Sequence, residues 1–370
     1  AARQTYERMH RSSPNQPAWL MRMGTIDLRM KRYDEAARNL QQAYAKSNEQ
    51  DFASLRGLVE CYIESGRPAN VLAKVEQYLQ GHPKVAPKLL KARLLVHENR
   101  DDRALALYRA IVEDHPEQVA GWRAFAGFYE KKAHEANERA RQAMRIGRTA
   151  QAARHRRDAV TLMRSAADVL DRAVEHFQAR QPTYAMQLNA EKARLLVEAG
   201  QTKQSFAIFE KLLGRNNLST GYRHLLINNY AYYLARYGNK DNIARALELI
   251  GPIKNIDNRN FGMLDTAGYV YLQSGDLDQA LNFLQLALDK NTEVHRKTLQ
   301  ENTRDPAVKV VDILPCIHYH LGLAYKAKNE TDKARAHFAK ALEADKEAEN
   351  SNRLTDSEWN DCTKQLTILQ

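Results

Sequence analysis

The sequence predicts an all-α fold: a right-handed superhelical solenoid of helix–turn–helix repeats with one elongated helical hairpin arm. Apolar residues recur at helical spacing nearly throughout, and strand-like alternation is almost absent. The 370 residues include only 16 Gly and 10 Pro, too few for a turn-rich β fold. There is no apolar run long enough for a membrane-spanning helix, so we expect none.

One helix–turn–helix unit is clearest between residues 264 and 292. Its first helix contains Gly268, and Gly275 ends that helix in a left-handed turn. Its second helix places Ala280, Leu284 and Ala287 on one face. The small residues indicate that two helices approach closely there, with large residues filling the space between them.

The same order of small and large residues recurs in seven or eight units. Copies are marked by Gly24 and Ala36, by Ala92 and Ala104, by Ala193 and Ser205, and by Gly322, Ala334, Phe338 and Ala341. This pattern resembles the tetratricopeptide repeat (TPR) family, whose unit has about 34 residues. The resemblance implies a solenoid scaffold that binds partners. It does not identify the partner of this chain. Residues 264–281 and 317–342 are similar to bacterial members, several of which serve envelope and exopolysaccharide-secretion machinery.

Two breaks in the repeat predict the domain organisation. We expect N-terminal repeats at 1–130, an elongated basic hairpin at 131–179 and further repeats at 180–292. A loop insertion at 293–312, a last repeat at 313–346 and a capping helix at 347–370 follow. The capping helix is predicted from Thr355 and Glu358, which match a capping box.

The hairpin is predicted from the spacing of the small residues. Ala92 and Ala104 lie 12 residues apart in an intact unit, whereas Ala126 and Ala166 lie 40 apart. The excess lengthens each helix by about four turns, which predicts an arm projecting about 20 Å. An alanine seam (Ala133, Ala136, Ala140 and Ala143) suits a closely packed antiparallel pair, and residues 146–149 are its predicted tip.

Motifs for catalysis or cofactor binding are absent from the sequence. It contains no GxGxxG, P-loop, GxSxG or HExxH pattern. His318 and His320 are two residues apart on a predicted helix, so their rings point in opposite directions and cannot share a metal. We expect one ring to be packed and the other exposed. The sequence therefore predicts no enzyme, no cofactor and no metal site.

The predicted hairpin carries much of the positive charge. The chain has a formal net charge of +11, and ten basic residues lie between Lys131 and Arg164. The predicted basic arm is formed by Arg139, Arg141, Arg145, Arg148, Arg154, Arg156 and Arg157. One interpretation is contact with an anionic protein, polysaccharide, lipid headgroup or nucleic acid. The other is a solvated hairpin that its charges keep soluble.

The resemblance also implies a concave binding groove lined by the first helix of each unit. Carried over to this chain, the groove positions are Arg56, Arg93, Arg123, Arg194, Tyr230, Tyr233, Tyr269 and Tyr319. Such a groove suits an extended acidic ligand that tolerates aromatic contacts. The alternative is that some of these tyrosines pack between helices. The Lys and Asn clamp that some members use on chaperone tails is missing, because Met21 and Thr25, and Arg56 and Glu60, stand at its positions.

These observations predict a non-catalytic scaffold or adaptor that binds protein partners in a multiprotein assembly, in its groove and through the basic arm. A bacterial cell envelope, on the periplasmic side and with a link to polysaccharide export, is favoured slightly over the cytoplasm. The alternative is direct binding of an anionic polymer, either acidic polysaccharide or nucleic acid. Residues 131–164 contain no Phe, Tyr or Trp for base stacking, which argues against nucleic acid.

Overall fold

The computed structural model describes residues 2–252, 260–304, 310–348 and 352–369. Its described residues form helices joined by turns and contain no strand, so the predicted all-α class is confirmed. The helices are α1 (Ala2–Ser12), α2 (Pro17–Arg29), α3 (Tyr33–Lys46), α4 (Phe52–Glu64), α5 (Ala69–Gly81), α6 (Val85–His97), α7 (Asp101–Asp114), α8 (Val119–Arg145), α9 (Thr149–Gln178), α10 (Pro182–Glu198), α11 (Thr202–Leu213), α12 (Thr220–Tyr237), α13 (Lys240–Ile250), α14 (Phe261–Ser274), α15 (Leu277–Arg304), α16 (Pro315–Ala327), α17 (Thr331–Glu347) and α18 (Asp356–Ile368).

Helices α2 to α17 form eight successive helix–turn–helix pairs, in agreement with the repeat predicted from the sequence. The chain divides into two compact units. Unit 1 comprises residues 1–133, 162–188 and 300–309, and unit 2 comprises residues 134–161, 189–299 and 310–370. Among the described helices, none is long and apolar enough to cross a membrane.

The two helices of a pair approach so closely that a side chain at the crossing would collide. A Cβ atom on Gly268 would lie 2.6 Å from Leu284 Cγ, and one on Gly322 would lie 2.7 Å from the ring of Phe338. The small positions predicted on the second helices are fully buried: Ala36, Ala43, Ala280, Ala287, Ala334 and Ala341. The spacing of small and large residues therefore sets the distance between paired helices.

The turn inside seven of the eight pairs has a residue in the left-handed backbone region. These residues are Lys31, Gly66, Asn99, Gly147, Gly200, Gly275 and Asn329, with φ between 57° and 89°. In the remaining pair Gly238 has φ −90°. Gly and Asn adopt the left-handed conformation with least strain, which explains their use at most of these turns.

The turn of the predicted hairpin and the predicted capping box are both present in the structure. α8 ends at Arg145, the turn contains Gly147, and α9 begins at Thr149. The capping box is present, because Thr355 accepts from the backbone of Glu358 and the Glu358 side chain accepts from the backbone of Thr355. The predicted capping segment begins at 347, whereas α18 begins at Asp356; residues 349–351 and 370 lie outside the described residues.

The predicted loop insertion at 293–312 is wrong over most of its length. α15 continues to Arg304, and residues 305–309 lie outside the described residues. One face of this polar helix binds the segment that follows it. Within the predicted loop, His295 Nδ1 lies 2.7 Å from the Val311 carbonyl oxygen, and Thr298 Oγ1 accepts from the Val311 amide at 3.0 Å. The polar side chains that suggested a loop therefore bind the backbone of the next segment.

The sequence also did not predict α1, which packs on α2 in unit 1. Arg3 Nε donates to Oδ1 of Asp27, a carboxylate with no exposed surface, at 2.8 Å. Arg32 and Asn39 bind the same carboxylate at 3.0 Å each. A buried charge is tolerated when hydrogen bonds and opposite charges surround it, as here.

We predict that Gly268→Ala destabilises unit 2 by about 1–3 kcal/mol, because its Cβ atom would collide with Leu284. This loss should exceed the gain of about 0.5–1 kcal/mol that Ala brings to a helix interior. Gly221→Ala in α12 is the matched control, since a Cβ atom there meets no neighbour within 4 Å. Denaturant unfolding of both variants measures the difference, and equal midpoints would contradict the close approach.

Candidate functional site

A pocket of about 430 Å³ lies in unit 1 between the first helices of three successive pairs, α4, α6 and α8. This volume falls within the range of ligand-binding pockets in proteins. Its lining residues are Phe52, Arg56, Ala86, Leu89, Leu90, Arg93, Val96, His97, Tyr108, Ala124, Gly127, Phe128 and Lys131. Two of the predicted groove residues, Arg56 and Arg93, are thus brought together in one concave site.

Aromatic and aliphatic side chains line most of the pocket. The ring of Tyr108 lies 6.2 Å from that of Phe125 and 5.6 Å from that of Phe128. Burial raises the pKa of Tyr108 to about 12, so its hydroxyl stays neutral. The pocket therefore offers an apolar environment to whatever enters it.

Besides Tyr108, the polar side chains that line the pocket belong to basic residues and one histidine. Arg93 binds Glu60 with both of its terminal nitrogens, and its Nη2 lies 2.8 Å from Glu60 Oε2. Lys131 Nζ lies 3.1 Å from His97 Nε2. Arg56 is exposed and has no ion pair with any residue that the structure describes. Arg56 is therefore the cation of this pocket best able to bind an incoming carboxylate.

The other two predicted arginines do not line this pocket. Arg123 Nη2 donates to Gln187 Oε1 at 3.0 Å, within unit 1. Arg194 Nη1 lies 2.9 Å from Glu198 Oε1, one turn further along α10 in unit 2. Both side chains are thus already engaged with neighbours on the repeat surface.

The predicted tyrosine-rich part of the groove requires correction. Tyr230, Tyr269 and Tyr319 are 3%, 6% and 6% exposed, so they have little surface to offer a partner. Tyr230 stacks on Phe209, with ring centroids 5.1 Å apart, and donates to Glu210 Oε1 at 3.0 Å. These contacts favour the alternative interpretation, in which the rings pack between helices. Tyr233 is half-buried.

A buried polar cluster in unit 2 takes the place of that open groove. Glu358, at the start of α18, is 2% exposed. Its Oε1 accepts from Tyr232 at 2.5 Å and from Arg236, both on α12. Nearby on α18, Asp361 accepts from Tyr319 at 2.8 Å. The chain's own C-terminal helix therefore occupies the hydrogen-bonding groups of Tyr232, Arg236 and Tyr319.

The charges of this cluster explain how a carboxylate can remain ionised there. Burial would raise the pKa of Glu358, but the charges of Arg236 and His320 and the hydrogen bond from Tyr232 outweigh burial and lower it. His320 in turn lies 2.9 Å from Asp265 through Nδ1. Sequence reasoning missed Tyr232, Arg236 and Glu358 as a unit, because Glu358 lies more than 100 positions from the other two.

The prediction of one packed and one exposed histidine is also wrong, since His318 is 8% exposed and His320 is fully buried. Their rings do point to different partners. His318 Nδ1 lies 3.0 Å from Nδ1 of His337 on α17, and burial is the main cause that lowers the pKa of His318 to about 4. Among the described residues no group of three or more His, Cys, Asp or Glu side chains could hold a metal ion.

The basic arm is only partly solvated. The tip of the hairpin, residues 134–161, lies in unit 2, and its seam residues Ala136, Ala140, Ala143, Ala152 and Ala159 are buried. Arg139, Arg145, Arg148, Arg154 and Arg157 are exposed, and Arg156 is partly buried.

Arg141, by contrast, is 6% exposed, which corrects its prediction as a free binding residue. Its Nη2 donates to the Leu354 carbonyl at 2.7 Å, and its guanidinium lies 5.7 Å from the centroid of the Trp359 ring. Arg141 therefore holds the hairpin tip against the C-terminal segment of unit 2.

One helix–turn–helix pair of the chain matches a known protein family. Residues 317–347, which span most of α16 and α17, match the family model described as tetratricopeptide repeat. No curated protein matches the chain.

Several solved structures are similar to the chain. Human IFIT1, as a dimer with m7Gppp-AAAA, is 16% identical with a TM-score of 0.40, over 92% of this chain and 67% of that one. A tetratricopeptide repeat protein from Parabacteroides merdae is 11% identical with a TM-score of 0.47, over 89% and 98%. The C-terminal part of a TPR repeat-containing protein from Cytophaga hutchinsonii is 12% identical with a TM-score of 0.36, over 94% and 99%. Likenesses of this size carry no argument about the partner of this chain.

We predict that Glu358→Gln destabilises unit 2 by about 3–5 kcal/mol, because it leaves the buried guanidinium of Arg236 without its counter-ion. Glu343→Gln, on the exposed face of α17, is the control and should be nearly neutral. The measurement is denaturant unfolding at neutral pH.

The same pair predicts a pH dependence. Because the folded-state pKa of Glu358 is lowered, its carboxylate stabilises the fold above the ordinary pKa of glutamate. That contribution is lost as the pH falls through the lowered value. The difference in unfolding free energy between wild type and Glu358→Gln should therefore shrink on acidification, and a constant difference would contradict an ionised Glu358.

Proposed function

We propose that this chain, as a tetratricopeptide repeat protein, is a non-catalytic scaffold whose unit 1 pocket binds an extended segment of a protein partner. The segment would insert one bulky apolar side chain and place an acidic residue beside it. The observation that carries this proposal is the juxtaposition of an apolar pocket with Arg56, an exposed arginine that has no ion pair among the described residues.

Apolar contact would supply most of the binding free energy. Full burial of a Leu or Phe side chain contributes about 1.5–3 kcal/mol, and the pocket is large enough to enclose one. A carboxylate next to it could bind Arg56 through two hydrogen bonds, which adds orientation as well as affinity. Lys131 adds positive potential that would favour an acidic segment and disfavour a basic one, whereas the charge of Arg93 is balanced by Glu60.

The preformed pocket favours binding without folding of the scaffold. Val96, Tyr108 and Phe128 are already buried within unit 1 in the structure without a ligand. A rigid site spares the entropy cost of ordering its own side chains, so a short segment could bind with useful affinity. This is the behaviour of an adaptor that joins the members of an assembly.

We also propose a setting for that assembly. A bacterial envelope or exopolysaccharide-export assembly is supported by the similarity of residues 264–281 and 317–342 to bacterial repeats, and by nothing in the pocket itself. The sequence-based alternative, an anionic polymer as ligand, would use the exposed arginines of the hairpin rather than the unit 1 pocket.

The pocket can be tested with a displayed random peptide library selected on the immobilised protein. We expect enrichment of peptides with Phe, Trp or Leu next to Asp or Glu. Gly127→Phe should abolish that enrichment, since a Cβ atom at this lining position meets no neighbour within 4 Å and the ring would enter the pocket. Unchanged circular dichroism would establish that the variant folds.

A second variant tests whether the pocket prefers acidic peptides, and it has a matched control. Arg56→Glu should remove the acidic residue from the enriched peptides while the apolar residue remains. Arg22→Glu, an equal charge change at an exposed position of α2 outside the pocket, should leave selection unchanged. If Gly127→Phe selects the same peptides as wild type, the pocket is not the binding site.

A further inference from the structure

The tip of the hairpin combines positive charge with an exposed apolar apex. The nineteen residues from Arg139 to Arg157 contain seven arginines and no Asp or Glu. At the apex, Ile146 is 64% exposed and Met144 is 37% exposed. The repeats can fold without an apolar apex surrounded by exposed cations, so this combination calls for another explanation.

The apex is held in a defined conformation. The Arg148 amide donates to the Ala143 carbonyl at 2.8 Å, and the Gly147 amide donates to the Met144 carbonyl at 3.0 Å. These bonds close the turn, and the left-handed φ of Gly147 permits it. Ile146 therefore projects from a closed turn rather than from a frayed helix end.

The helices behind the apex are also fixed. Ala143 and Ala152 are buried in the seam, and Arg141 is bonded to the C-terminal segment. Arg145 lies over Trp359, with its guanidinium carbon 5.1 Å from the ring centroid. The exposed arginines thus project from packed helices, whose backbone need not be ordered on binding.

We propose that the hairpin tip binds the surface of an anionic phospholipid membrane. Ile146 and Met144 enter the boundary between headgroups and acyl chains, while Arg145, Arg148 and Arg154 contact the lipid phosphates. Interfacial binding combines buried apolar area with attraction to anionic lipids, and the tip offers both. Each basic residue near such a surface strengthens binding about fivefold.

A lipid surface accounts for the tip better than a charged polymer does. Nucleic acid and acidic polysaccharide would use the arginines but leave the apolar apex exposed to water. Residues 131–164 also have no aromatic ring on which a base could stack. The membrane is the anionic partner that also receives Ile146.

The test is co-sedimentation of the full chain with vesicles of phosphatidylcholine alone and of phosphatidylcholine with phosphatidylglycerol. We expect binding only to the anionic vesicles, with an affinity that falls as salt rises. Ile146→Asp should weaken binding about 10- to 100-fold, which corresponds to losing the burial of one isoleucine. Leu225→Asp, at another exposed apolar residue of unit 2, should leave it unchanged.

A second pair of variants separates local charge from total charge. Arg148→Glu with Arg157→Glu should abolish vesicle binding, whereas Lys203→Glu with Lys211→Glu, the same net change on α11, should retain most of it. The proposal is overturned if neutral vesicles bind equally well or if Ile146→Asp binds as wild type does. It is also overturned if duplex DNA binds more tightly than anionic vesicles at equal salt, since charge alone would then explain the tip.

Discussion

The close approach of paired helices is the constraint on which the structure depends. Where Gly268 faces Leu284, no atom beyond the backbone fits, and the large residue of one helix fills the space left by the small residue of the other. Each pair is therefore fixed by a few local contacts, and each first helix then presents its remaining faces at a set orientation. The pocket of unit 1 is lined mainly by three such first helices, α4, α6 and α8, which this pairing holds in place.

How well each feature could be predicted depends on how far apart in the sequence the residues that form it lie. The crossing of Gly322 over Phe338 is a contact 16 residues apart and is visible as spacing in the sequence. The hairpin turn at Gly147 is equally local. The resemblance to the TPR family implies a common face for Arg56 and Arg93, since its repeat relates α4 to α6. In each case a periodic pattern carries the information.

What fills the inner face of unit 2 could not be predicted in this way. Tyr232 and Glu358 are 126 residues apart, and no periodicity links an interior repeat to the C-terminal helix. The sequence therefore leaves two alternatives for the groove positions of the later repeats, open or packed, and in the structure Tyr269 packs on His320 with ring centroids 4.3 Å apart. The helical continuation of α15 could not be predicted for a related reason: its Thr298 binds the backbone of Val311, in a segment that the sequence alone does not place beside it.

Glu358 divides its two carboxylate oxygens between two tasks. Oε2 accepts from the amide and the hydroxyl of Thr355, at 2.8 and 2.9 Å, which starts α18. Oε1 binds Tyr232 and Arg236 and so attaches the helix to α12. A helix of thirteen residues is marginal by itself in water. Initiation and attachment thus share one side chain, so α18 should form and dock in a single cooperative step, with few molecules in which the helix is folded but detached.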